Sequence, residues 1–223
     1  MIAVRAGLES WGAVTRELVD EIAAPDVEVT IRDLPDAPVT SIMSVHDHDL
    51  VAPYNVQAAI QAERDGFDAI TTGCLLDPGI EAMKEVVDKL VVVGDCEAVM
   101  HLGSLLGRRI SVLLPNKTTS GLIRFNVFED LVRKYGFQDK LASIRAVQST
   151  SLDFAAERDD LPGKMLEQAR LAVKEDKADV IVGYGSLTVI DHLRTHLTVP
   201  VLESVQCTLS LATELVRHRV RQG

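Results

Sequence analysis

Phe67-Asp68-Ala69-Ile70-Thr71-Thr72-Gly73-Cys74 reads as an apolar strand that ends in a small residue and a thiol. Ala178-Asp179-Val180-Ile181-Val182-Gly183-Tyr184-Gly185 runs in the same register without a gap, so the chain contains a repeat. The two copies disagree where it matters chemically, because Cys74 of the first lies opposite Gly185 of the second. Outward from these strands each half carries the same series of elements. The first half is expected to place strands over Ile2–Val4, Val27–Ile31, Asp68–Thr72 and Leu90–Val93. Helices are expected over Trp11–Ala23, Ala52–Asp65 and Glu81–Val87, with another running through Leu105. The second half repeats this with strands over Ile110–Leu114, Ser143–Val147, Asp179–Val182 and Val199–Leu202. Its helices fall over Gly121–Tyr135, Leu161–Glu175, Val189–Thr195 and Thr208–Arg217. Short β-branched runs alternating with 3.6-period helices imply parallel βαβ units, and Gly66, Gly136 and Pro200 supply the turns between them.

The expected fold is therefore α/β, with two similar doubly wound parallel-sheet lobes related by a pseudo-two-fold axis. The first lobe takes residues 1–97 with 207–223, and the second takes 98–206. Ligands of open parallel sheets bind beyond the carboxyl ends of the strands. Gly73-Cys74 and Tyr184-Gly185 both fall at such ends, so the active site is expected between the lobes.

Composition narrows the functional classes. The 223 residues are 47% hydrophobic and 25% charged, which describes an ordinary globular protein. A net charge of −10 and a pI near 5.0 argue against a nucleic-acid partner, which needs clustered basic charge. The basic run Arg217-His218-Arg219-Val220-Arg221 suits a helix C-terminus instead. No stretch approaches the roughly 18 apolar residues of a membrane span, and the amino terminus starts a strand without an apolar leader. Three cysteines (74, 96 and 207) make no disulfide framework. A reducing cytoplasm is the expected location.

Several blocks together resemble the aspartate/glutamate/hydantoin racemase superfamily, most closely its hydantoin racemase branch. They are Gly66 to Ala69 with Gly73-Cys74-Leu75-Leu76-Asp77-Pro78-Gly79, Gly94-Asp95-Cys96-Glu97-Ala98-Val99-Met100-His101-Leu102, Arg133-Lys134-Tyr135-Gly136, Ala178 to Val182, and Val199-Pro200-Val201-Leu202-Glu203. The resemblance implies an enzyme that uses no metal or organic cofactor. It also implies proton transfer by two cysteines at a carbon next to a carboxylate or ring carbonyl. Cys74 matches the first cysteine, while Gly185 stands where the second would be. Where the family has an Asn-Pro-Asn-Thr-like turn after the first strand, this chain has Arg5-Ala6-Gly7-Leu8. Arylmalonate decarboxylases of the superfamily keep one cysteine in the second half, so this chain looks like their mirror image. The resemblance also implies a homo-oligomer.

The candidate residues follow, each beside a plainer alternative. Cys74 is the expected general acid–base or nucleophile. A helix starting just after it would lower the thiol pKa, although a cysteine in apolar surroundings is often just a small core residue. Leu75 beside it is expected to line the substrate. The N–H groups of Gly185 and Ser186, with the Ser186 hydroxyl, are expected to hold a carboxylate or developing enolate, or Gly185 merely relieves crowding. Tyr184 is a candidate for the missing acid. Asn116, Lys117, Thr118 and Thr119 form a donor-rich turn at a helix start, suited to an anion or to ordinary capping. Arg5 is expected to pair a substrate carboxylate, and Glu203 to face the cleft. His46 and His48 alternate on what reads as an extended segment, so both could reach one cation; His46 is also a substrate-loop candidate. Glu97 and His101 read as structural, and Cys96 and Cys207 as packing residues.

The expected activity is cofactor-independent proton transfer with Cys74 as the single thiol, in a one-base isomerase or a decarboxylase-like lyase. The expected substrate is a small molecule bearing a carboxylate or cyclic imide. An alternative is hydrolysis of a hydantoin- or thiohydantoin-like ring, through Cys74 as nucleophile or a metal at His46 and His48. A binding protein without turnover is the third.

Overall fold

The repeat folds as two sheets of the same connectivity. A computed structural model describes residues 2–5, 8–39, 41–42, 44–115, 122–149 and 159–218. The first sheet contains β1 (Ile2–Arg5), β2 (Thr30–Asp33), β3 (Ala69–Thr71) and β4 (Val91–Val92), in the order β2-β1-β3-β4. The second contains β5 (Ile110–Pro115), β6 (Leu141–Val147), β7 (Val180–Gly183) and β8 (Val201–Glu203), in the order β6-β5-β7-β8. Every strand pair is parallel. This is the two-lobed, doubly wound arrangement that the sequence repeat predicts.

The helices are α1 (Leu8–Ile22), α2 (Val45–Arg64), α3 (Ile80–Val86), α4 (Asp95–Leu106), α5 (Leu122–Lys134), α6 (Leu161–Glu175), α7 (Leu187–His196) and α8 (Ser204–Arg217). Five of them begin earlier than the sequence suggests, α2 and α8 by the most. The expected start is Ala52, yet α2 begins at Val45, where the Ser44 hydroxyl accepts the Asp47 N–H at 3.1 Å. Pro53 is exposed, so water can serve the carbonyl that its missing N–H leaves. Similarly α8 begins at Ser204 because the Glu203 side chain caps it. Gly66 and Gly136, expected as turn points, take φ of 82° and 80°.

Strand alternation distributes the core. Ile70 and Val92 face α2 and α3, packing with Ala59, Ala62, Ile80 and Met83. Ala69, Val91 and Val93 share a second cluster with Leu18 and Val19 of α1 and with Val205, Leu209 and Ala212 of α8. That cluster continues into the second sheet through Ile110, Val112, Val180 and Val182. A third cluster joins Leu113 and Ile181 to Met165, Ile190 and Leu193 of α6 and α7. Each buried Val, Leu, Ile or Met among them contributes about 1.5–3 kcal/mol. α8, although late in the chain, also packs on α4, β3 and β4.

Candidate active site

The site is built on the segment that leaves the carboxyl end of β3. Thr71, the last strand residue, is 1% exposed, and its hydroxyl donates to Asp95 Oδ1 at 2.8 Å. Thr71 Oγ1 in turn accepts the Gly73 N–H at 3.3 Å, which fixes the turn into Cys74. Gly73 takes φ 60°. Cys74 is half-buried and packs on the rim of the cluster shared by the two sheets, as does Leu75. Its carbonyl accepts the Asp77 N–H at 2.9 Å, closing a tight turn over 74–77. Helix α2 holds the rest of the segment. His48 Nε2 donates to the Leu76 carbonyl at 3.0 Å, and Asn55 Nδ2 donates to the Pro78 carbonyl at 2.9 Å.

Of the three cysteines only Cys74 has solvent access. Cys96 is fully buried, and burial together with the Asp77, Asp95 and Glu97 carboxylates pushes its thiol well up. Burial and the Glu203 charge push Cys207 up to about 12. Both therefore stay protonated near neutral pH and pack as small apolar groups, as the sequence suggests.

One expectation about Cys74 needs correction. The helix after it does not begin at once but at Ile80, with Gly79 as its N-cap, and it is only seven residues long. Leu75 to Gly79 separate the thiol from that helix start, and a dipole effect fades within the first turn. α3 is therefore no source of thiolate stabilisation. The helix start that does meet this segment is that of α4, and Asp77 already occupies it. Asp77 Oδ1 accepts the Cys96 N–H at 3.1 Å, and Oδ2 accepts the Glu97 N–H at 3.1 Å. Tyr135, just beyond α5 in the second half, donates its hydroxyl to Oδ2 at 2.9 Å.

Asp77 and Tyr135 were not singled out by sequence reasoning. Asp77 is 3% exposed and sits at φ 46°. Burial, reinforced by the nearby Asp95 charge, pushes its pKa up to about 8, against the pull of its three donors. Burial and the Asp77 carboxylate likewise raise Tyr135. A signal existed in the repeat. Ile70 pairs with Val92 and Ile181 with Val201, which sets Gly94 opposite Glu203. In the second half Glu203 Oε2 accepts the Gln206 N–H at 2.7 Å and so caps its own helix. In the first half the equivalent position is glycine, and a carboxylate from elsewhere has to do that work.

The second lobe differs in just this region. α7 starts at Leu187, two residues after Gly185, with Ser186 as N-cap at φ −66° and ψ 161°. The Ser186 side chain makes no capping bond to the helix. Gly185 takes φ 114°, a conformation that side-chain-bearing residues rarely adopt. Gly185 and Ser186 are both half-exposed at the carboxyl end of β7. Tyr184 is 8% exposed and packs in the cluster of Met165, Ile190 and Leu193 between sheet and helices. Glu203 is 2% exposed and caps α8, so it does not stand open to a substrate as expected.

The metal reading of His46 and His48 does not survive the fold. They lie in the first turn of α2, not on an extended segment, and residues two apart on a helix diverge by about 200°. The His46 side chain is 79% exposed. Both ring nitrogens of His48 already face acceptors, Asp49 Oδ1 at 3.1 Å and the Leu76 carbonyl at 3.0 Å. The ring is thus held by neighbours on both sides and is not turned toward a cation shared with His46. Glu97 holds Lys84 Nζ at 2.8 Å and His101 stacks edge-on against Phe137, the structural roles expected of them. Arg5 ends β1 at the carboxyl edge of the first sheet, and its side chain is outside the described part. Asn116, Lys117, Thr118 and Thr119 lie outside the described residues. No helix among the described residues is long and apolar enough to cross a membrane.

This geometry has clear relatives. The family model for Asp/Glu/hydantoin racemases matches residues 6–212. A hydantoin racemase of Pseudomonas sp. (strain NS671) is 37% identical over 182 residues, covering 79% of this chain and 69% of its own. The solved allantoin racemase of Klebsiella pneumoniae superposes with a TM-score of 0.85 at 25% identity, covering 100% of this chain and 89% of its own. An unliganded arylmalonate decarboxylase shares the fold at a TM-score of 0.65 and 18% identity, covering 96% of this chain and 90% of its own. A partly open thiol on one lobe and a side-chain-free glycine at the matching place on the other thus sit on a shared scaffold, and the chain belongs to the Asp/Glu/hydantoin racemase family.

Proposed function

We propose that this chain moves a proton at a carbon next to a carboxylate or hydantoin-like ring carbonyl, with Cys74 as its single acid–base thiol. The observation that carries the reading is the half-exposed Cys74 at the end of β3, matched by Gly185 at the end of β7. The Cys74 thiolate takes the proton from the substrate carbon, and the electron pair moves into the adjacent carbonyl to form an enolate. N–H groups of Gly185, Ser186 and the first turn of α7 would stabilise that developing charge. Such fixed donors act most strongly on charge that appears only in the transition state. The polar turn Asn116 to Thr119 and Arg5 would hold the far end of the substrate.

With no second thiol, the proton returns from Cys74 itself after the intermediate turns over, or from water on the opposite face. A stereospecific decarboxylation uses the same parts, with carbon dioxide leaving and the Cys74 thiol protonating the enolate. A cyclic ureide is the proposed substrate class, because both hydantoin and allantoin racemases are among the relatives.

The test is solvent-deuterium exchange at C5 of a 5-substituted hydantoin, followed for each enantiomer separately. Exchange is expected to start faster from one enantiomer, and Cys74→Ser should lower it by about 10²–10⁴-fold. Equal wash-in from both enantiomers that persists in Cys74→Ser would overturn the reading.

A further inference from the structure

Asp77 touches Cys74 through the backbone and the two lobes through its side chain. Its N–H closes the 74–77 turn on the Cys74 carbonyl, and its own carbonyl accepts the Ile80 N–H at 3.3 Å. Its carboxyl meets two N–H groups of α4 and the Tyr135 hydroxyl. Lys134, one residue before Tyr135, reaches Glu81 of α3 at 3.5 Å, so the end of α5 is tied here twice. α5 is also the helix that follows the polar turn proposed to hold substrate. The thiol's position on one lobe is thereby joined to a helix of the other by a single buried side chain.

Capping α4 does not by itself require Asp77. The second half shows that a side chain at the N-cap position does the same work, as Glu203 does for α8. Here the N-cap is Gly94, and a Cβ on it would stand 2.3 Å from Asp77 Oδ2. The first lobe has left its own cap position empty and closed it with a residue borrowed from the thiol's loop. Asp77 holds φ 46° while making these contacts, a conformation costly to a non-glycine residue.

We infer that Asp77 is a positioning residue, which with Tyr135 fixes the Cys74 thiol against the second lobe in addition to capping α4. For turnover this rests on the function proposed above; for the thiol's placement it does not.

The experiment separates the two roles. Asp77→Ala combined with Gly94→Ser removes the latch and gives α4 a cap of its own at the N-cap position. The denaturation midpoint is expected to return close to that of the parent. Cys74 alkylation by iodoacetamide, measured against pH by mass spectrometry, is expected to change its rate by about five-fold or more. Catalysed hydantoin exchange is expected to lose about 10- to 100-fold in kcat with KM little changed, as for a misplaced reacting group. Tyr135→Phe, which keeps the cap bonds, should change the alkylation profile in the same direction, and Asp77→Asn, whose amide offers one acceptor oxygen to three donors, should shift it as well. An alkylation profile identical to the parent in both Tyr135→Phe and the double variant would overturn the inference. If the parent shows no hydantoin exchange, the proposed function fails while the alkylation measurement still decides the role of Asp77.

Discussion

Replacing Gly94 by alanine adds one carbon, and the structure says where it would go. It would lie 2.3 Å from Asp77 Oδ2, 2.6 Å from Cγ and 2.8 Å from Oδ1, all inside the closest approach that real Cβ atoms make. The carboxyl cannot swing aside without giving up its bonds from Cys96, Glu97 and Tyr135. The backbone itself would accept alanine, since Gly94 has φ −82° and ψ 149°. At a helix N-cap alanine is itself less favourable than glycine, so the clash adds to a small intrinsic cost. With the clash, three hydrogen bonds at about 1 kcal/mol each are lost and buried donors are stranded, so a net loss of about 2–4 kcal/mol is expected. Urea denaturation measures this directly. Gly163 in α6, where a Cβ meets nothing within 4 Å, is the control and should gain stability as alanine. In an Asp77→Ala background the penalty of Gly94→Ala should largely vanish, a coupling that a double-mutant cycle reads. A Gly94→Ala variant as stable as the parent, or uncoupled from Asp77, would refute the reasoning.

Two further outcomes follow from the same region. Asp77 has a folded pKa of about 8, raised by burial and the Asp95 charge, while the unfolded chain has an ordinary carboxyl. The folded state therefore binds the extra proton, and stability should be complete below about pH 4 and fall as pH rises to about 8. The loss is on the order of 5 kcal/mol at most. Denaturation midpoints between pH 5 and 8 should fall less steeply in Asp77→Asn, and parallel slopes would contradict this. The groups acting on Asp77 are Asp95, Tyr135 and the N–H groups of Cys96 and Glu97, so buffers that leave these unbound are suitable. Gly185→Ala is expected to destabilise by about 1–3 kcal/mol, because φ 114° is strained for any side chain. An unchanged thermal midpoint would show that the turn relaxes freely.

The architecture was legible because strand periodicity and the repeat agree. Leu161–Glu175 matches α6 at both ends, and the β3/β7 correspondence survives to the residue. Where reading failed, a tertiary contact had overridden a local signal. The second helix reads as starting at Ala52, but Ser44 caps it well before that point. The run Leu75 to Gly79 looked like a helix entrance, but Asp77 turns it toward α4 instead. Cys74 could be picked out by its place at a strand end together with the family resemblance. Asp77 and Tyr135 could not, because they stand 58 residues apart and only the folded chain brings them together. Glu203 misled for the opposite reason. A carboxylate at a strand end suggests a ligand, and the helix beginning immediately after it took that carboxylate as its cap.

The contact of α8 with the first sheet has a bearing on how the chain is made. Ala69, Val91 and Val93 are covered by Val205, Leu209 and Ala212, which lie more than a hundred residues further along. On a ribosome the first sheet would emerge well before α8, and the part of its face that α8 covers would stay open until residues 204–217 had cleared the exit tunnel. The half that is translated first is the half that is finished last.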